Sequence, residues 1–207
     1  RSRIMPFSVA GTQYSEEMTE ITLALESSPE TKEIWPHDFR IEAKFSVSMK
    51  LNLELTVINT GKEPFSYSAG FHPYIVAGDR DGCSVRGVDG CSYVNAEDMS
   101  THVLSGDLAM DSARDLVFSL PDALKHEAVL MDGSLGRAVA LASSGNTRLV
   151  VWNPGPEGKL ADFEPDDWKK FVCVEPVTAW PQSTASLAPG EKEKLSVAIQ
   201  STLPDPV

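Results

Sequence analysis

No apolar run in the 207-residue chain approaches the roughly 18 to 20 residues that cross a bilayer as a helix, and helical periodicity is almost missing. No charged start followed by an apolar stretch resembles a secretory signal. Cysteine is scarce: Cys83, Cys91 and Cys173 leave one thiol unpaired in any pairing, and none stands in a CxxC spacing. Free thiols in a reducing, cytoplasmic setting are the simplest expectation. Positive charge is short as well, with 18 Lys and Arg against 30 Asp and Glu and a formal net charge of -12. Such a chain repels a nucleic-acid backbone or an anionic membrane at long range, so neither is expected as a partner. There is no G-x-S-x-G elbow, no phosphate-binding loop and no dinucleotide fingerprint, which removes support for serine hydrolases and nucleotide enzymes. His102 and His126 have no ligand-spaced neighbours along the chain, so no metal is expected from spacing.

What is present reads as strands. With 42% hydrophobic residues the chain can bury a real core, and residues 1–207 suit one domain. Residues 20–26, 39–49 and 51–58 alternate polar and apolar side chains, and Asn59, Thr60 and Gly61 supply a turn before residues 65–69. Residues 39–69 are therefore expected to form an antiparallel meander. Further strands are expected at 116–120, 128–131, 138–143, 148–152, 171–175 and 194–199. Helical turns are hinted only at 166–170 and around 123–126. Many short strands with regular turns argue for a large antiparallel β-sandwich or barrel, an all-β fold. Residues 153–167 hold three prolines and two glycines and read as a long loop.

Two titratable side chains stand out. His72 follows Gly70 and Phe71 and precedes Pro73, which cannot donate to a ladder, so the chain is expected to leave a strand at the imidazole. Glu175 closes the apolar run FVCV just before Pro176, where a buried carboxylate is costly without partners. An imidazole and a carboxylate that meet across a sheet can move protons in opposite directions. Asp115, in RDLVF, is a turn carboxylate or a third site member. His37 reads as a turn residue packed on Trp35. The tryptophans Trp35, Trp152, Trp168 and Trp180 suit sugar stacking or a core equally.

The strings SPETKEIWPHDF, LTVINTGKEPFSYSAGFHPYI, DLVF, VVWNPGPEGKLADFEPDDWKKFVCVEP and LAPGEKEKL occur in that order. Together they resemble the hexose-6-phosphate mutarotases, or glucose-6-phosphate 1-epimerases, of the aldose 1-epimerase family, over nearly the whole chain. The resemblance implies a galactose mutarotase-like β-sandwich that interconverts the α and β anomers of a sugar without metal or organic cofactor. It implies His72 as general acid, Glu175 as general base and Asp115 as a substrate-binding acid. Glu175 would be ionised at neutral pH from its reference pKa of about 4.3, take the anomeric hydroxyl proton, and leave His72 to protonate the ring oxygen.

The chain departs from the phosphate branch at GFHPYI, where that branch tends to read ALHTYF and where HPY is closer to the neutral-sugar enzymes. WPHDF, DLVF and VVWNP pull the other way, so the expected partner is a hexose or a hexose 6-phosphate. Relatives also carry a stretch before the point where this chain starts, including a segment resembling HGFARN. Arg1 matches its arginine and is expected to contact substrate. On that reading the first strands of the sandwich are missing, and the unpaired edges invite a weak homodimer beside the monomer. Two rivals remain on the residues alone: a non-catalytic carbohydrate-binding module, and a β-sandwich interaction protein with no sugar site.

Overall fold

Alternation at period two decides which way each strand faces, and in the computed structural model it builds two large antiparallel sheets packed face to face. The structure describes residues 4–121, 125–158, 163–178 and 185–202. The larger sheet has the spatial order β1 (Ser8–Tyr14), β2 (Thr19–Glu26), β3 (Phe39–Val47), β4 (Leu51–Asn59), β17 (Lys192–Thr202), β13 (Arg137–Ser144), β12 (His126–Asp132), β7 (Cys83–Arg86) and β10 (Leu108–Ala109). The smaller has the order β6 (Tyr74–Val76), β15 (Phe171–Val177), β14 (Arg148–Asn153), β11 (Arg114–Ser119), β8 (Ser92–Asn95) and β9 (Thr101–Val103). A separate ribbon pairs β5 (Phe65–Tyr67) with β16 (Ala185–Leu187). The architecture is the all-β sandwich expected from the strand pattern.

Between the sheets lies one apolar layer. Leu53, Val85, Leu130, Leu141 and Val197 of the larger sheet share a cluster with Leu116, Phe118, Leu149, Val151, Val172 and Val174 of the smaller. Each such side chain contributes about 1.5 to 3 kcal/mol by leaving water. The inward residues of β11, β14 and β15 are every second one. Their alternate partners, Asp115, Val150, Trp152, Cys173 and Glu175, therefore fall on the opposite face of the smaller sheet.

The expected meander holds for β3 and β4, which pair from Phe39↔Asn59 to Val47↔Leu51. Its third member does not follow, because β5 pairs with β16 instead of β4. The five-residue connection after Asn59 is fixed by that side chain, which is buried and donates to the carbonyls of Glu63 and Leu187 while accepting from Gly61 N–H. This carries β5 out of the sheet. The hinted helical turn around 123–126 is a correction too: His126 opens β12, and residues 122–124 lie outside the described residues. The turn expected at 166–170 is a 3-10 helix, Asp167–Lys170. One α-helix was not expected, α1 (Pro29–Ile34), a single turn and a half held by a reciprocal cap in which Thr31 N–H donates to Ser28 Oγ and Ser28 N–H to Thr31 Oγ1. Among the described residues no helix is long and apolar enough to cross a membrane.

Candidate active site

One register explains why His72 and Glu175 meet. Strand β6 pairs with β15 at Tyr74↔Cys173, and an isolated bridge joins Gly70 to Val177. Counting the same antiparallel register across the gap sets His72 opposite Glu175. Phe71 N–H donates to the Pro176 carbonyl, and Thr178 N–H to the Ala69 carbonyl, in the same alignment. The Thr178 hydroxyl adds two bonds, accepting from Ala69 N–H and donating to its carbonyl. Gly70 permits the close approach, since a Cβ there would stand 2.3 Å from Val177 Cγ1 and 3.0 Å from the Pro176 carbonyl oxygen.

The chain thus reaches the imidazole in a way that differs from expectation. No strand ends at His72; a strand begins just beyond it, at Tyr74, because Pro73 interrupts the ladder and Tyr74 resumes it. Glu175 likewise lies inside β15, which runs on through Pro176 to Val177. The proline is tolerated because β6 pairs only with residues 171–173 of β15.

The two side chains touch, with His72 Nε2 at 3.2 Å from Glu175 Oε1. Their settings differ, the imidazole being 43% exposed and the carboxyl 10%. His72 stacks on Tyr74 at 4.8 Å between ring centroids and meets the edge of Trp152 at 5.6 Å. The imidazole is thereby held from two sides while one flank faces the pocket. That pocket, about 340 Å³, is lined by Ser68, Ala69, His72, Asp115, Val150, Trp152, Glu175 and Val177.

Asp115 reaches the same pocket from β11, where it pairs in register with Trp152 rather than sitting in a turn. Val150 stands opposite Glu175 on the neighbouring strand. Two rows cross the sheet here, Glu175 and Val150 in one and Cys173, Trp152 and Asp115 in the next, and all of them but Cys173 line the pocket.

The electrostatics correct one expectation. Burial pushes the Glu175 carboxyl up from its ordinary 4.5 to about 8, and the nearby Asp115 charge adds to the shift. The folded site thus holds the Glu175 proton more tightly than the reference carboxyl value implies. Asp115 is raised in turn, by burial first and then by Glu97. The Cys173 thiol, fully buried beside them, is pushed well above its usual range by burial and by the Glu175 charge.

Of the expected site residues, His72, Glu175 and Asp115 come together, and Arg1 lies outside the described residues. Arg40, Arg80, Arg86, Arg114 and Arg137 do not line the pocket and are engaged elsewhere, for instance Arg86 with Asp107 and Arg80 over the Trp168 ring. His37 packs on Trp35 at 5.0 Å, as expected. Among the described tryptophans Trp152 lines the pocket, and Trp180 lies outside the described residues. Gly70, Thr178 and Cys173 went unmarked in the sequence, although the period-two step back from Glu175 points to Cys173.

A model of the aldose 1-epimerase family matches residues 1–200. A provisionally named glucose-6-phosphate 1-epimerase of Salmonella typhimurium is 29% identical over 181 residues, covering 86% of this chain and 59% of the relative. The crystal structure of a provisionally assigned mutarotase from Salmonella typhimurium, YeaD, superposes with a TM-score of 0.87 at 27% identity, over 97% of this chain and 66% of that one. A galactose mutarotase-like protein of Clostridium acetobutylicum shares the fold at a TM-score of 0.77 and 16% identity, over 95% of this chain and 66% of that one. The chain thus spans about three fifths to two thirds of the length of the curated relatives it matches.

Proposed function

The chain belongs to the aldose 1-epimerase family, and we propose that it interconverts the α and β anomers of a hexose or hexose 6-phosphate, with His72 and Glu175 moving the protons. The observation that carries this reading is the contact of an imidazole and a buried carboxyl, 3.2 Å apart, at the wall of a pocket sized for a small polar molecule. The ionised form of Glu175 accepts the proton of the anomeric hydroxyl. As the bond from the anomeric carbon to the ring oxygen breaks, that oxygen takes a proton from His72, and an open aldehyde results. Rotation about the bond to the neighbouring carbon presents the other face of the carbonyl. Closure then returns each proton to the group that gave it.

Anomers differ little in free energy, so the best acid/base groups are those that give and take a proton at small cost near the working pH. A carboxyl raised to about 8 fits that need better than one at 4.5. Asp115, across the floor from Glu175, accepts hydrogen bonds from sugar hydroxyls, and Trp152 offers an apolar surface to the ring. Binding alone needs only an acceptor such as Asp115, so the pairing of an imidazole with a carboxyl raised by burial favours proton transfer over a module that only binds sugar.

The test is anomer exchange measured by NMR on glucose 6-phosphate, galactose and glucose. Acceleration of at least one of them is expected, and its identity decides between the phosphorylated and neutral classes. Rates equal to the buffer blank on every sugar would reject the reading.

A further inference from the structure

Beside the acid/base pair lies a third donor that the reaction does not use. Cys173 stands two residues before Glu175 on the same face of β15, and its register partner on β6 is Tyr74, two residues after His72. The ligand atoms of His72, Cys173 and Glu175 all lie within 4.8 Å of one another. We propose that these three side chains bind a borderline-soft divalent cation of the Zn²⁺ or Cd²⁺ kind, and that its presence switches off the acid/base pair. The inhibitory half rests on the proton-transfer reading above; the binding half does not.

Geometry supports the site. A tetrahedral cation with bonds of about 2.0 to 2.3 Å holds its ligands roughly 3.3 to 3.8 Å apart. His72 Nε2 and Glu175 Oε1 are already 3.2 Å apart, and since no pair is more than 4.8 Å apart, reaching that range takes a movement of about 1 Å at most. The half-exposed imidazole has room to adjust toward the two donors on β15. Three protein ligands leave one position open to the pocket, where water completes the shell. The donor set selects the cation: one sulfur and one imidazole nitrogen favour Zn²⁺ or Cd²⁺ over Mg²⁺ and Ca²⁺, which prefer oxygen. Binding releases the thiol proton, and the proton of any protonated Glu175 carboxyl, to solvent, so no other reactant is required.

The cation and the sugar compete for the same lone pairs. An occupied site has neither a base for the anomeric hydroxyl nor an acid for the ring oxygen.

Cd²⁺ titration of the whole chain, followed by the ultraviolet sulfur-to-cadmium charge-transfer band, tests this directly. One equivalent is expected to raise the band, Cys173→Ala to abolish it, and His72→Asn to weaken affinity by about tenfold or more. Cys91→Ala is expected to leave it intact. Anomer exchange, read in parallel, should fall as the band grows and return when a chelator strips the ion. No band on folded protein, or a band that survives Cys173→Ala, overturns the site. Should Cys173→Ala fail to fold, an undiminished affinity in His72→Asn overturns it equally. A band that behaves as expected on a protein with no exchange activity supports the site and rejects the reaction, so the two failures are distinguishable.

Discussion

Val172 and Val174 point from β15 into the layer between the sheets, whereas Glu175, on the opposite face with the buried Cys173, lines the pocket. The same division runs through β14, with Leu149 and Val151 inward and Val150 and Trp152 outward, and through β11, with Leu116 and Phe118 inward and Asp115 outward. Inward positions need only volume and apolarity, and their loss is felt as stability. Outward positions carry titratable groups whose burial costs stability and whose removal costs chemistry. One strand thus serves packing and reaction through its pleat alone.

This contrast can be broken most sharply at His72. Replacing it with Asn should slow anomer exchange by about 10²- to 10⁴-fold, the usual worth of an oriented acid/base group. Thermal unfolding should move little, within about 1 kcal/mol, since the ring is only half-buried. On the inward face, Leu149→Ala should do the reverse, costing about 2 to 5 kcal/mol in denaturant unfolding while the rate of the folded fraction stays near wild type. Equal effects of both changes on both readouts would erase the distinction between the faces.

Gly70→Ala lies between these extremes. Its Cβ would meet Val177 Cγ1 at 2.3 Å, so the segment holding His72 must withdraw from β15. A cost of about 1 to 3 kcal/mol is expected, with a fall in kcat larger than any change in KM. A variant with unchanged kcat would show that the bridge at Gly70 does not set the imidazole.

The gentlest probe is pH. Folding raises Glu175 from 4.5 to about 8, so the folded state holds this proton more tightly than the unfolded one. The resulting stability is complete below pH 4.5 and drains away as pH rises through about 8. Asp115, also raised, contributes with the same sign. The activity limb runs oppositely, because the base must be ionised: kcat/KM should rise through the same window. In Glu175→Gln the melting temperature should depend less on pH across that window, and a slope equal to wild type would remove Glu175 as the group responsible.

Much of this layout was legible in the sequence, for particular reasons. Alternation marked β2, β3 and β4, because half-buried strands advertise their faces. It said little about β6, β8, β9, β10 and β16, which are four residues or fewer and too short to show a period. His72 and Glu175 stood out beside prolines in apolar runs, and the ordered motifs gave them roles. What remained hidden was set by pairing across the chain: the departure of β5 from the meander, the clamp of Thr178 on Ala69, and the nearness of Cys173 to His72. The raised carboxyl of Glu175 was hidden for the same reason, since its shift comes from burial within the sheet and from the charge of Asp115 on β11, a strand distant in sequence.

Glu175→Gln keeps the shape of the pocket and removes the titrating group, so anomer exchange by NMR, wild type beside this variant, is the most direct test of the outward face as a site of proton transfer. A loss of about 10²- to 10⁴-fold with an unfolding midpoint equal to or above wild type is expected. Equal exchange rates in the two proteins, on a sugar that wild type accelerates, would contradict it.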